Sequence, residues 1–134
     1  MSGSDYWQMV VLFVLLHVLC YDLWFYGVHR LLHLPYFYTR FHWQHHAHRH
    51  PTWQHTFDAH WLENGASGLG LFLPCALFGL DPVALALAWL ACLCRGVARH
   101  DPHLPFSRHH LTHHQTVTCN YSARYIDYIF NTLK

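Results

Sequence analysis

The chain is 134 residues long, 53% hydrophobic and 17% aromatic, with only 11% charged residues and a net charge of +1. That length holds a single domain, 1–134. Charged content far below the roughly 25% of soluble domains argues against an ordinary soluble protein, and the near-neutral balance excludes the field that a nucleic-acid or acidic partner calls for. Sixteen histidines are the compositional exception.

The first element is an apolar run from Trp7 to Tyr26, about 20 residues and enough to span a hydrocarbon core, so a first spanning helix is expected over about 7–28. No basic segment precedes it and no small-residue cleavage site follows, which argues against a cleaved signal peptide. His17 lies mid-span and reads as a hydrogen-bonded core histidine. If the helix continues, Asp22, Tyr26, His29 and His33 share one face by a 4-3-4 spacing. An acid at membrane depth is costly and usually functional. Asp22 either accepts the free ring N–H of a metal-ligating histidine or pairs with an arginine.

Next comes a polar, aromatic and histidine-dense stretch over 34–60, broken by Pro35 and Pro51 and holding the cluster His42-x2-His45-His46. His48, His50 and His55 flank it outside that register. His60 and Glu63 follow three residues apart, either as a further ligand with an acid orienting a neighbour or as a polar rim. A second apolar region, about 65–98, is divided by Asp81-Pro82, placed as N-cap and first helical residue. It reads as a short membrane hairpin with arms at roughly 66–80 and 82–97, each near or below the usual spanning minimum of about 17 residues. His100 and its rival His103 follow. The last cluster, His110-x2-His113-His114, lies in a helical-looking RHHLTHHQ, with His109 outside the register.

All eight basic residues (Arg30, Arg40, Arg49, Arg95, Arg99, Arg108, Arg124 and Lys134) fall after the span or after the hairpin. One span plus a returning hairpin puts them on one side, cytoplasmic by the positive-inside rule. The three histidine clusters share that side. Asn120-Tyr121-Ser122 matches a glycosylation acceptor, which the same topology discounts. Five cysteines (Cys20, Cys75, Cys92, Cys94 and Cys119) form no legible disulfide framework and read as packing thiols on a reducing side.

Residues three and four apart on a helix face one way, so His29-x3-His33, His42-x2-His45-His46 and His110-x2-His113-His114 can each converge on one point. Neutral imidazole suits iron, zinc, copper and nickel. Eight such ligands exceed one ion's needs and suit two. The expected architecture is an all-α integral membrane protein, one spanning helix plus a short membrane hairpin, with a cytoplasmic histidine-rich helical cap holding a dimetal site. There is no HExxH metalloprotease motif and no phosphate-binding loop.

The strings DLWFYGVHRLLH, FHWQHHAHRHPT, AHWLE, RHHLTHHQTVTCNY and IDYIFNT, in this order, resemble the fatty acid hydroxylase/sterol desaturase superfamily of membrane di-iron enzymes. The resemblance covers essentially 20–132. It implies a metal set of His29, His33, His42, His45, His46, His60, His100, His110, His113 and His114, with Asp22 and Glu63 as supporting acids. It also implies two non-haem irons, O2 as co-substrate, a lipid substrate, and a separate electron donor of cytochrome b5-like or ferredoxin-like type. Two family glycines are Ser122 and Asn131 here. Family members usually carry more membrane helices before the first motif, so this chain reads as a minimal member, a piece of a longer one, or one completed by self-association or a partner.

The chemistry so implied is O2-dependent abstraction of a C–H hydrogen from a lipid, giving an alcohol or an alkene, within endoplasmic reticulum or bacterial inner membrane. The aromatics Trp24, Phe25, Tyr36, Phe37, Tyr38, Trp43, Trp53 and Trp61 suit either a greasy channel or interfacial anchoring. Two other readings stand beside it: a membrane zinc or other metal protein (transporter or hydrolase), and an inactive fragment.

Overall fold

The computed structural model describes residues 2–134, and among these there are helices and turns but no strand. Helix α1, Gly3–Leu32, starts at a capping box in which Ser2 and Asp5 satisfy each other's backbone N–H groups. Its 30 residues reach about 45 Å at 1.5 Å per residue. It stops at His33 because Pro35 drives Leu34 out of the helical region, to ψ 141°. One flank of α1 buries Val10, His17, Asp22, Tyr26 and His29, whereas Leu12, Leu15 and Leu19 stand exposed.

A short α2, Pro35–Phe37, runs into a π-helical turn, Tyr38–His42. The second histidine cluster then continues in a 3₁₀ turn, His45–Ala47, and another such turn covers Trp53–Phe57. This cluster is therefore not on an α-helix. The wider π turn re-aims His42 relative to the residues that follow, a use these turns often have at functional sites.

The apolar region departs from a simple pair of arms. Its entering arm is α3, Trp61–Gly68, a 3₁₀ turn, Leu69–Phe72, and α4, Leu73–Phe78. Gly65, Gly68 and Gly70 weaken the α-helix there, and Pro74 removes an N–H. Two α1 side chains take backbone carbonyls of this arm: Trp24 Nε1 donates to Ala66 O at 2.7 Å, and His17 Nδ1 donates to Leu71 O at 2.6 Å. His17 is thus the hydrogen-bonded core histidine expected. Gly70 lies so close to Trp24 that a Cβ would come within 2.7 Å of the indole. Gly79, at φ +91°, makes the tip.

The returning arm is α5, Pro82–Arg99, with Pro82 at its first position and Asp81 accepting from Ala84 N at 2.8 Å. Its 18 residues exceed the expected length, so α1 and α5 are both long and apolar enough to cross a membrane. The two helices pack along each other and share a small core of Leu71, Ala88 and Cys92 with Val14 and Val18. All five cysteines are free thiols.

After α5, a 3₁₀ turn, Pro105–Ser107, leads into α6, Arg108–Thr116, which ends at Val117 in the left-handed region. Helix α7, Arg124–Ile129, folds back so that Ile126, Ala123 and Tyr121 pack on Tyr26 of α1. Asp127 organises this return: its carboxylate accepts Tyr121 N–H at 2.8 Å, Ser122 N–H at 2.9 Å and Thr132 Oγ1–H at 2.7 Å. Of the two family glycine positions, Asn131 takes a positive φ of 53°, which asparagine tolerates. Ser122 does not, and uses its hydroxyl to donate to Asp22 O at 2.8 Å.

Candidate metal centre

Nine histidines from α1, the two turns of 42–47, the end of α5 and α6 converge in two groups. His29, His33, His42, His46 and His113 form one, and His45, His100, His110 and His114 the other; within each, the ligand atoms lie within 4.8 Å of one another. Eight of the nine are buried and His33 is partly so.

The groups are interleaved. On α6, His110 and His114 are one turn apart and join one group, while His113 points to the other. The neighbours His45 and His46 likewise divide. Each of the second and third clusters therefore supplies both groups rather than converging on one point, because adjacent residues in a helical turn project about 100° apart. Only His29 and His33 stay together, four residues apart on α1.

Hydrogen bonds fix the tautomers of four rings. Nδ1 of His29 donates to Tyr121 O, that of His113 to Cys119 O at 2.6 Å, that of His100 to Gly96 O at 2.9 Å and that of His114 to His48 O at 3.1 Å. A carbonyl only accepts, so the proton of each neutral ring sits on Nδ1 and Nε2 carries a bare lone pair. Two such lone pairs point into each group. Nε2 atoms face one another at 3.1 Å for His29 and His42, 3.1 Å for His33 and His113, and 3.0 Å for His100 and His110. That is the spacing of imidazoles held at about 2.1 Å from a common ion and roughly at right angles. In each pair one ring has its proton fixed on Nδ1, so without an ion the other ring donates its Nε2–H across the gap; when every Nε2 is bare, the converging lone pairs call for a cation among them. The donor set, all imidazole with no thiolate, fits a first-row transition metal.

The protonation balance agrees. Burial first, and neighbouring imidazoles second, push His45 and His110 well below the usual histidine range. His114 falls to about 3 through burial and then through His100 and His113. His113 falls to about 4, burial being opposed by its bond to Cys119 O. Neutral rings are the ligating form.

The supporting acids divide. Glu63 Oε1 lies 2.9 Å from His42 Nδ1, off the alignment of a good hydrogen bond, and its Oε2 is buried without a partner. It stands where the sequence reading put an orienting acid. Asp22 touches no clustered histidine. It accepts two bonds from Arg95, at 2.7 and 2.9 Å, and one from Tyr125 OH at 2.7 Å, so it is the arginine partner and not a histidine's acceptor. A carboxylate buried to 0% exposure needs that compensation.

His60 joins neither group. It is the N-cap of α3, with Nδ1 accepting Leu62 N–H at 3.2 Å, so its ring is spent on a helix end. His100 is brought in and His103 is not. Among the flanking histidines, His48 lends its carbonyl to His114, and His109 donates to Asp127 at 3.0 Å. His55 and Asp58 form a separate, more exposed group with His48 and share no ligand atom with the nine. Sequence reading did not find Asp127, Tyr125 or the carbonyls of Cys119 and Tyr121. Their signal was the NY and IDYIFNT strings, which mark a place but not a role.

A cavity of about 220 Å³ opens beside the histidines. Phe25, Leu71, Trp89 and Leu93 line its apolar part, and His29, His45, His100 and His110 border it. Such an apolar space against convergent polar groups is the usual form of a small-molecule site.

The family model for fatty acid hydroxylases matches residues 14–132. A Dictyostelium discoideum protein that carries the provisional name methylsterol monooxygenase is 35% identical in an alignment 126 positions long that covers 83% of this chain and 46% of that protein. The chain thus spans less than half the length of that curated relative. No solved structure matches the chain.

Proposed function

The chain belongs to the fatty acid hydroxylase family, within the fatty acid hydroxylase/sterol desaturase superfamily, and from that membership we propose that it is an integral membrane di-iron oxygenase. It hydroxylates or desaturates a C–H bond of a lipid with O2 and electrons from a separate cytochrome b5-like or ferredoxin-like donor. The observation that carries this reading is the pair of interleaved imidazole groups, each receiving two bare lone pairs.

One iron would be held by His29, His33, His42, His46 and His113, the other by His45, His100, His110 and His114. His60 has no place in this set. When bound, non-haem iron with open positions supplies O2 activation and attack on an unactivated C–H bond. The chain's own residues do the rest. The carbonyls of Tyr121, Cys119, Gly96 and His48 hold four rings in the ligating tautomer. Glu63 sits against His42 to keep its Nε2 turned inward. Phe25, Leu71, Trp89 and Leu93 exclude water and hold a hydrocarbon segment against the histidines, which is where positioning lowers the barrier. Asp22, Arg95 and Tyr125 tie α1, α5 and α7 together behind the site.

The topology that fits is a membrane domain over 1–134 with the histidines on the cytoplasmic side, in the endoplasmic reticulum of a eukaryote or the inner membrane of a bacterium, with self-association open to it.

The test is metal analysis and Mössbauer spectroscopy of iron-57-loaded protein in mild detergent, beside a variant with His110, His113 and His114 all changed to alanine. About two coupled irons per chain, lost in the variant, support the reading; one zinc, or iron retained by the variant, overturns it in favour of another metal protein. Lipid oxidation under O2 is then scored with the intact protein.

A further inference from the structure

The cavity wall carries two guanidinium groups, Arg95 and Arg99, one helical turn apart on α5. They are not equivalent. Arg95 takes both oxygens of Asp22, at 2.9 and 2.7 Å, and Tyr125 OH takes a further bond to Asp22 at 2.7 Å. Arg99 approaches the same carboxylate only to 3.8 Å and donates no hydrogen bond among the described residues. Its side chain is nevertheless only 19% exposed. Arg95 and Tyr125 take up the acceptors of Asp22, so the Arg99 fork is left without a hydrogen-bond acceptor of its own. The other acid on the wall, Glu63, lies against His42 and makes no contact with Arg99 among the ion pairs of the described residues.

A largely desolvated guanidinium without an acceptor is costly, and its planar fork matches a carboxylate or phosphate with two parallel bonds. The apolar part of the wall, Leu71, Trp89, Cys92 and Leu93, suits hydrocarbon. Arg99 lines the same cavity as His45, His100 and His110 of the four-histidine group.

We propose that Arg99 binds the anionic end, carboxylate or phosphate, of the lipid that occupies this cavity. The inference rests on the lipid-oxygenase reading for the identity of the site, but it concerns binding and does not depend on turnover. A neutral alcohol would supply one uncharged acceptor where the Arg99 fork can use two charged ones.

The experiment is equilibrium binding of radiolabelled palmitate to the full-length, metal-loaded protein in non-ionic detergent, with competition by hexadecanol and by hexadecyl phosphate. The wild type is expected to bind palmitate or hexadecyl phosphate at least about tenfold more tightly than hexadecanol, as a charge-assisted pair provides. Which anion wins separates a fatty acid from a phospholipid-like source. Arg99→Gln is expected to lose that preference while binding hexadecanol as before, and Arg99→Lys to keep part of it. Equal binding of alcohol and anions by the wild type overturns the proposal. So does a preference that survives Arg99→Gln. If Arg99→Gln fails to hold metal, the wild-type ranking and Arg99→Lys decide alone. Loss of oxidation activity with an intact anion preference would count against the oxygenase reading and not against this one.

Discussion

Asp127 accepts the backbone N–H of Tyr121 at 2.8 Å, and the carbonyl of that same residue receives the Nδ1 proton of His29. A carboxylate on α7 that touches none of the nine clustered histidines thus sets the angle of one of them. Its second oxygen takes Ser122 N–H, so two successive backbone N–H groups of the 120–123 turn are held by one side chain.

Asp127→Asn should therefore act on the metal centre at a distance. The amide keeps the shape but turns a donor toward groups that already donate. We expect metal affinity to fall by roughly tenfold, the lower end for residues that support ligands, with about 1–3 kcal/mol of stability lost to unpaired buried groups. Chelator competition and thermal melts of the same preparation check both.

Acid should act on the metal-free protein in two windows. His113 and His114 have folded values of about 4 and about 3, below the 6.5 of an unfolded histidine. Between those values the unfolded chain binds protons that the folded one refuses, so stability falls as pH drops from 6.5 toward 3. Burial raises Asp127, but bonds from His109, Thr132 and the Ser122 and Tyr121 amides outweigh it and hold it below 3.8. Its contribution is present above 3.8 and is lost only as pH falls below that. A melting temperature that is flat above pH 6.5 and declines below it is expected; a decline beginning above pH 8 would contradict the assignment.

Glu63 and His60 should part company. Glu63→Ala removes the acid beside His42 and is expected to weaken metal retention by roughly 10- to 100-fold. His60→Ala removes a helix cap, at a cost of about 1 kcal/mol, and should leave metal stoichiometry unchanged. Metal analysis after dialysis against a weak chelator reads both. Loss of an ion in His60→Ala would return that residue to the ligand set.

The Asp22–Arg95 pair offers a coupling test. Asp22→Asn strands two guanidiniums and should cost about 3 kcal/mol, the low end for a broken buried pair because Arg95 is 34% exposed. The double variant Asp22→Asn/Arg95→Gln should be less damaged than the sum of the single changes. Additive effects in detergent melts would mean the pair is not coupled.

The histidine clusters that converge, their order and the presence of a long apolar first helix were legible because helical spacing and apolar run length act locally, although α1 runs Gly3–Leu32 and not about 7–28. The division of each cluster between two groups was not, since His45 and His46 differ only in direction and direction is fixed by the π turn before them. Asp22 was legible as an important acid, but its partner lies 73 residues away in α5. His60 carried the same local signal as a ligand, and only its use as the α3 cap separates it. The break in the entering arm was written in Gly65, Gly68, Gly70 and Pro74, yet Trp24 and His17 had to be brought alongside to satisfy the backbone there.

The interleaving of the two histidine groups also constrains how the protein is made. Each group needs α6; the supporting carbonyls of the five-histidine group reach residue 121, and those of the four-histidine group lie at His48 and Gly96, while the earliest member is His29 in one group and His45 in the other. During synthesis neither site can close until the whole hairpin has been made and α6 has folded back over it. Metal uptake by either group would thus follow completion of α6, and a chain stalled before residue 110 would carry the first helix and neither complete group.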